Sequence, residues 1–120
     1  MKVKEFYEEI HGDYNDIMSR LMKEERIERF VLKLLEKDSL NDLKEKIDQK
    51  NWQDAFVIAH SLKGLSLNLS FTDFTKKVSN LTELLRYAKD ENNYINQVNE
   101  AFSVVKSNYE LIVKAIEKYK

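Results

Sequence analysis

The organisation of this chain is set by the stretch Phe56-Val-Ile-Ala-His60-Ser-Leu-Lys-Gly64-Leu-Ser-Leu-Asn-Leu-Ser70. Its apolar residues recur every three or four positions, which is typical of an amphipathic helix. At about 100° per residue, one side of this helix is aliphatic and is formed by Ala55, Ile58, Leu62, Leu65 and Leu69. His60 points to the other side, where its neighbours at helical spacing are Phe56, Val57, Lys63, Gly64 and Leu67. We therefore expect the aliphatic side to face a core and His60 to face solvent or a partner.

The composition indicates one ordinary globular domain that spans residues 1–120 and is built from helices. The chain has no proline and only two glycines, so helix breakers are almost absent and an all-α fold is predicted. Cysteine is absent, which excludes a disulfide, a thiolate metal site and a cysteine nucleophile. The net charge of −1, with basic and acidic residues interleaved along every helix, argues against nucleic-acid binding. No apolar run is long enough to span a membrane and no signal-peptide pattern follows Met1, so a cytoplasmic protein without a membrane association is predicted.

The hydrophobic periodicity divides the chain into four long helical blocks with very short corners between them. The blocks are 24–50, 52–70, 73–90 and 93–119. Short corners force successive helices to run antiparallel, so an up-and-down four-helix bundle is predicted over residues 24–119. Residues 1–22 read as short N-terminal helices that cover one end of the bundle. The pattern over 24–50 is compatible with one bent helix or with two.

Local signals predict where several of these helices begin and end. Gly12 is expected to stop the first helix. Polar residues that commonly cap a helix N-terminus precede or open the next ones, namely Asp13, Ser39 (with Asp42 as in a capping box), Asn51 (with Asp54 in the first turn) and Thr72.

Most histidines in helical proteins are surface residues without a special role, and His11, at an expected helix end, is interpreted that way. His60 differs because of two neighbours. Gly64, one turn further on, costs about 1 kcal/mol relative to alanine and leaves clearance beside the imidazole for a bulky reacting group such as a phosphoryl group. Lys63 can pair with the charge of such a group. The alternatives are close helix packing at Gly64 and an ordinary solvated lysine.

Apolar residues around His60 predict a docking surface. We expect Phe56, Val57 and Leu67, together with Asn68, to contact a partner. The alternative is that segment 1–22 covers this face. A neutral imidazole can act as a nucleophile, yet no Ser-His-Asp arrangement, phosphate-binding loop or carboxylate pair accompanies it. The chain therefore lacks the means to bind a nucleotide or hydrolyse a substrate alone, which indicates that another protein brings the chemistry.

The residues Ala59-His60-Ser61-Leu62-Lys63-Gly64, followed by Asn68-Leu69, closely resemble the signature of histidine-containing phosphotransfer (HPt) domains, Ala-His-Ser/Thr-Leu-Lys-Gly and then Asn-Leu-Gly. Residues 81–86 resemble the family's Leu-Glu-x-x-Ala-Arg segment, and the resemblance covers about residues 12–115. The chain departs from the pattern in having Ser70 for the usual glycine, Thr82 for the usual glutamate, and bulkier residues at Leu65 and Leu67.

The resemblance implies an intermediate of a multistep phosphorelay. His60 would accept a phosphoryl group on Nε2 from a receiver-domain aspartyl phosphate and pass it to another receiver aspartate, with Lys63 pairing its charge and Gly64 giving clearance. The implied partners are response regulator receiver domains and a hybrid sensor histidine kinase. Mg²⁺ would be bound by the receiver, so no cofactor or metal is expected in this chain, and neither is autonomous kinase or hydrolase activity. We expect a monomer.

Two alternatives are left open by the sequence. The same helical protein could be a binding module that docks on a receiver domain or kinase and regulates it without being phosphorylated. The chain could also be the phosphotransfer domain of a hybrid or chemotaxis kinase. Acid-labile phosphate on the protein would separate phosphotransfer from binding alone.

Overall fold

The computed structural model describes residues 1–120 as seven α-helices without a strand, which confirms the all-α prediction. The helices are α1 (Val3–Glu9), α2 (Tyr14–Leu21), α3 (Glu24–Leu34), α4 (Ser39–Asp48), α5 (Trp52–Asn68), α6 (Thr72–Arg86) and α7 (Asn92–Tyr119). None of them combines the length and the apolar character that crossing a membrane requires.

The histidine-bearing helix α5 lies between α4 and α6. Helix α6 also packs on α7, and α7 contacts both α4 and α1. The short helices α1, α2 and α3 pack on one another. All seven helices contribute to one continuous core of 26 buried apolar side chains, so the N-terminal segment is part of the same core and is not an appendage.

The segment 24–50, for which the periodicity was compatible with one helix or two, forms two helices. The amide groups of Leu35 and Glu36 bond to carbonyl oxygens only three residues back, at 3.1 and 3.2 Å, which tightens and ends α3. Helix α4 then begins after Asp38, whose carbonyl oxygen accepts the Asp42 amide. The predicted capping by Ser39 is wrong, because Ser39 is already the first helical residue and the N-cap position belongs to Asp38.

Two of the predicted N-caps are confirmed by hydrogen bonds from side chain to backbone. The Asp13 carboxylate accepts the Asp16 amide at 3.0 Å at the start of α2. The Asn51 side chain accepts the Asp54 amide at 3.3 Å at the start of α5. These bonds satisfy amide groups that have no partner within the helix.

The predicted cap at Thr72 is wrong, since Phe71 occupies the N-cap position of α6 and Thr72 is the first residue of the helix. The Phe71 ring is only 1% exposed. The phenyl ring reaches the core from this position, and burying it stabilises the corner although Phe71 has no side-chain acceptor for a free amide.

Gly12 was predicted to stop the first helix, and this is also wrong, because the helix ends before it. Helix α1 ends at Glu9, and the left-handed residue that follows is His11, with φ of 57°. Gly12 is needed for space instead. A Cβ atom there would lie 2.8 Å from Cδ2 of Tyr7 and 3.0 Å from the carbonyl oxygen of Ser70.

The corner between α5 and α6 is held by the N-terminal segment. Ser70, which replaces the glycine of the resembled family, has a left-handed φ of 57°. Its hydroxyl donates to Asp16 Oδ2 at 2.5 Å, and Nη2 of Arg20 donates to Ser70 Oγ at 2.7 Å and to the Asn68 carbonyl at 2.8 Å. The buried Tyr7 hydroxyl donates to the Leu69 carbonyl at 2.7 Å. These bonds satisfy polar groups that the end of α5 leaves without helical partners.

We expect Gly12→Ala to lower the free energy of unfolding by about 1 to 3 kcal/mol, because the added methyl group meets both a buried ring and a backbone oxygen. Denaturant titration measures the change. Gly64→Ala is the matched control, since no other helix and no side chain beyond its chain neighbours lies within 4 Å of a Cβ there, and it should raise stability by about 1 kcal/mol. Equal destabilisation by the two substitutions would contradict the assignment.

Asp16 should make stability depend on pH in the acid range. The hydrogen bond from Ser70, followed by the contact with Arg20, holds the pKa of Asp16 below its ordinary value of 3.8. A carboxylate whose pKa is lower in the folded protein stabilises it above the unfolded pKa, and the contribution is lost as pH falls through the folded pKa. The melting temperature of Asp16→Asn should therefore be below that of the wild type at neutral pH, and the gap should narrow below about pH 4.

Asp48→Asn is the control for this effect, because Asp48 is an exposed carboxylate that contacts only Lys44 on its own helix. Exposed pairs of this kind contribute little to stability. A gap between Asp16→Asn and the wild type that stays constant from neutral pH to pH 2 would refute the role assigned to Asp16.

Candidate functional site

Helix α5 presents His60 on its exposed side because its other side is anchored in the core. Ala55, Ala59, Leu62 and Leu69 are buried, while Ile58 and Leu65 are partly buried and pack against the core cluster. The predicted aliphatic side of α5 therefore faces inward. His60 is exposed, and the helix that carries it cannot rotate without exposing these apolar residues.

Gly64 opens the surface one turn beyond His60. Apart from its two chain neighbours and the backbone of its own helix, no atom lies within 4 Å of the position that a Cβ would occupy. Close helix packing, the alternative explanation for this glycine, is therefore excluded. An exposed mid-helix glycine with no packing role leaves free volume on the same side of α5 as the imidazole.

Lys63 follows His60 by three residues and is partly buried. None of the nine ion pairs of the chain includes it. Because its ammonium group has no acidic partner within the chain, Lys63 can pair with an incoming anion.

Phe56 lies against the His60 ring. The two ring centroids are 5.8 Å apart with 30° between the planes. Phe56 is partly buried and packs against the core cluster, so only part of its ring is available to a partner. The sequence placed Phe56 in the docking surface, and the structure adds this intramolecular contact with the imidazole.

Arg86, at the end of α6, lies beside this site but was not predicted from the sequence as a site residue. Its guanidinium carbon lies 4.7 Å from the centroid of the Phe56 ring, and its Nε donates to Glu83 Oε1 at 3.2 Å. The signal was present in the chain, because Phe56 and Arg86 are almost equally far from the corner at Ser70. Two antiparallel helices that share this corner bring such positions together.

The remaining predicted docking residues are open to solvent. Val57 and Leu67 are each 55% exposed, and Asn68 is exposed. Segment 1–22 therefore does not cover Val57 or Leu67. It reaches only the end of α5, where Arg20 bonds to the Asn68 carbonyl.

Two surface grooves flank α5, and His60 lines neither of them. One groove lies beside Val57, Ile58 and Ser61 and is completed by the start of α4. The other lies beside Leu67 and is completed by α2 and the start of α6. The imidazole is exposed and lines neither groove. No group of three or more histidine and acidic side chains is placed to hold a metal ion.

Comparison with known proteins finds no family model, no curated protein and no solved structure that matches this chain. The resemblance to HPt domains therefore depends on the sequence, that is, on the residues around His60 and on residues 81–86.

The orientation of α5 can be tested with one substitution made on each side of the helix. Leu62→Ala should lower the free energy of unfolding by about 2 to 5 kcal/mol, because the side chain is only 4% exposed and its removal leaves a cavity. Leu67→Ala, on the exposed side, should change it by less than about 0.5 kcal/mol. Similar losses at the two positions in denaturant titrations would show that Leu67 is packed in solution.

Proposed function

We propose that this chain is a histidine phosphotransfer protein of a multistep two-component phosphorelay. His60 accepts a phosphoryl group from the aspartyl phosphate of one receiver domain and passes it to the aspartate of another. The observation that carries the proposal is the exposed imidazole of α5, one turn before a glycine that opens to solvent. The order of these residues matches the HPt signature, and Lys63 stands between them without an acidic partner.

The bundle architecture proposed for the chain is supported by its helix contacts. Helix α4 packs on α5, α5 on α6, α6 on α7, and α7 again on α4, so these four helices form a closed ring of neighbours. We assign them, with α3 continuing the α4 arm, to an antiparallel four-helix bundle. Helices α1 and α2 then cover the end at which α5 turns into α6.

The transfer step needs only one nucleophile from this chain. The lone pair of the neutral imidazole Nε2 attacks phosphorus while the P–O bond to the receiver's aspartate breaks. The electron pair of that bond stays on the aspartate carboxylate, and the proton on Nδ1 remains on the ring. The reverse step delivers the phosphoryl group to the next receiver.

The negative charge of the phosphoryl group on His60 is balanced by the ammonium group of Lys63. A phosphoryl group brings between one and two negative charges, which the ammonium group of Lys63 pairs with. Arg86, held against Phe56 on the neighbouring helix, is already paired with Glu83. The receiver supplies Mg²⁺, which stabilises the transferring group from the other side. This division of labour accounts for a chain that carries neither a nucleotide-binding motif nor hydrolytic machinery.

The proposed partners are response regulator receiver domains and a hybrid sensor histidine kinase, met in the cytoplasm by a monomer of this chain. Val57, Leu67 and Asn68, with the open part of Phe56, form the docking surface. Exposed apolar side chains around a polar centre are typical of a recognition surface. Since His60 is exposed, the aspartate of a partner can reach the imidazole.

The test is phosphotransfer from a radiolabelled phosphorylated receiver domain. Label should appear on the wild type, be stable to alkali and labile to acid, and be absent from His60→Gln. His11→Gln is the matched control, since His11 is the only other histidine and lies outside the site. The proposal is wrong if label persists on His60→Gln. It is also wrong if the wild type accepts no label from any receiver of its source organism.

Gly64→Ala should separate stability from transfer. The folded protein gains about 1 kcal/mol from the better helix former. Transfer should slow by roughly 10- to 100-fold, because the methyl group intrudes on the space next to the phosphoryl group and displaces it. Rates are measured by quench flow with the receiver in excess. If Gly64→Ala is more stable but transfers the phosphoryl group at the wild-type rate, then space beside the phosphoryl group is not the reason for a glycine at this position.

A binding module without phosphotransfer is the second candidate. It is favoured by the exposure of Val57 and Leu67, which would dock on a receiver or kinase even if His60 were idle. In that case the protein binds its partner equally well as wild type and as His60→Gln, and no acid-labile phosphate forms on it.

A further inference from the structure

Three side chains from two helices are stacked beside the reactive position. The imidazole of His60 lies 5.8 Å from the ring of Phe56, and the guanidinium group of Arg86 lies 4.7 Å from the same ring. Glu83 holds Arg86 from the side with a 3.2 Å hydrogen bond. Phe56 is the middle member of this stack.

The middle member is also the one that the core immobilises. Phe56 is partly buried and packs against the core cluster, whereas Val57 beside it is 55% exposed. An exposed histidine on a helix has two side-chain torsions to restrict, and its terminal torsion is broad. The Phe56 ring is fixed and lies at an interplanar angle of 30° to the imidazole. Because aromatic pairs favour particular arrangements, it restricts both side-chain torsions of His60.

We propose that Phe56 is a positioning residue that turns one nitrogen of the His60 ring, and not the other, toward the phosphoryl donor. The inference depends on the proposed function of His60 and concerns how that histidine is aimed. Both imidazole nitrogens can carry a phosphoryl group, so a ring free to turn would give both isomers. A ring held by Phe56 gives one isomer.

This proposal distinguishes the residue that orients the imidazole from the residues that bind a partner on the same face of α5. Phe56 acts on the imidazole within the chain in addition to offering its open part to a partner, whereas Val57 and Leu67 serve the partner alone. A docking residue matters only when a receiver is the donor. A residue that aims the imidazole matters with every donor, including one too small to touch the docking surface.

Phosphoramidate is the small donor for the test. The imidazole lone pair attacks its phosphorus, the P–N bond breaks, and ammonia leaves with the electron pair of that bond. The phosphorylated ring keeps its own proton or releases it to water. Phosphorus NMR of the product distinguishes the two phosphohistidine isomers, and its time course gives the rate.

The wild type should give a single isomer, and Phe56→Leu should give both, with phosphorylation slowed by roughly tenfold or more with phosphoramidate and with a receiver alike. Phe56→Tyr, which keeps the ring, should restore the single isomer. Leu67→Ala should leave the phosphoramidate rate and isomer unchanged and raise only the KM for the receiver.

Phe30→Leu is the matched control. Phe30 is an exposed phenylalanine on α3 that contacts a cation of its own helix, Lys33, at 5.2 Å from the ring centroid. It has the same chemistry outside the site, so its loss should change neither rate nor isomer. Phe56→Met, which keeps the buried volume, serves as a second non-aromatic variant should Phe56→Leu not fold.

The contact between the Phe56 and His60 rings can also be measured directly in the unmodified wild type by NMR. Nuclear Overhauser effects should connect the ring protons of Phe56 and His60, and their absence overturns the inference. So does a Phe56→Leu or Phe56→Met variant that is folded, labelled on His60 and identical to the wild type in rate and isomer. That result leaves the proposed function intact. A wild type that takes no phosphoryl group from any donor overturns both.

Discussion

The left-handed turn at Ser70 is the constraint on which the site depends. It sends α6 back along α5, and this return places the end of α6 against the middle of the site. A residue with a Cβ adopts a positive φ at a cost that glycine does not have. Here the Asp16 carboxylate and the Arg20 guanidinium bond to the Ser70 hydroxyl, and the Tyr7 hydroxyl satisfies the Leu69 carbonyl. The N-terminal helices thereby offset the strain of a corner fifty residues further along the chain.

The residues at which the chain departs from the HPt pattern are accommodated by the surrounding structure. Ser70 replaces glycine and uses its hydroxyl to join α2 to the corner. Thr82 replaces glutamate at a fully buried position, where its hydroxyl donates to the Val78 carbonyl at 2.7 Å. A carboxylate there would be desolvated, whereas the threonine is hydrogen-bonded within its own helix. Leu65 packs partly against the core, and Leu67 is exposed to solvent.

A fixed orientation of α5 gives the exposed residues around His60 different surroundings. The buried aliphatic side prevents the helix from turning, and the cap at Asn51 holds its start. Within that frame each exposed residue has a distinct physical environment. Phe56 is partly enclosed and contacts the imidazole, Gly64 borders free space, and Leu67 projects into solvent. The differences in burial along α5 are therefore the basis for assigning different roles to neighbouring residues.

The sequence by itself determined the features that depend on short-range spacing. Helical periodicity placed His60 opposite the aliphatic side of α5, and short side chains identified the caps at Asp13 and Asn51, because these bonds join residues three positions apart. Only the tertiary structure decided the features that join distant segments. Phe71 displaced Thr72 as N-cap because the core received its ring. Gly12 proved to be a point of close approach to Tyr7 and the Ser70 carbonyl. Arg86 reached Phe56 because α5 and α6 meet across a corner, and no local pattern encodes a contact between helices.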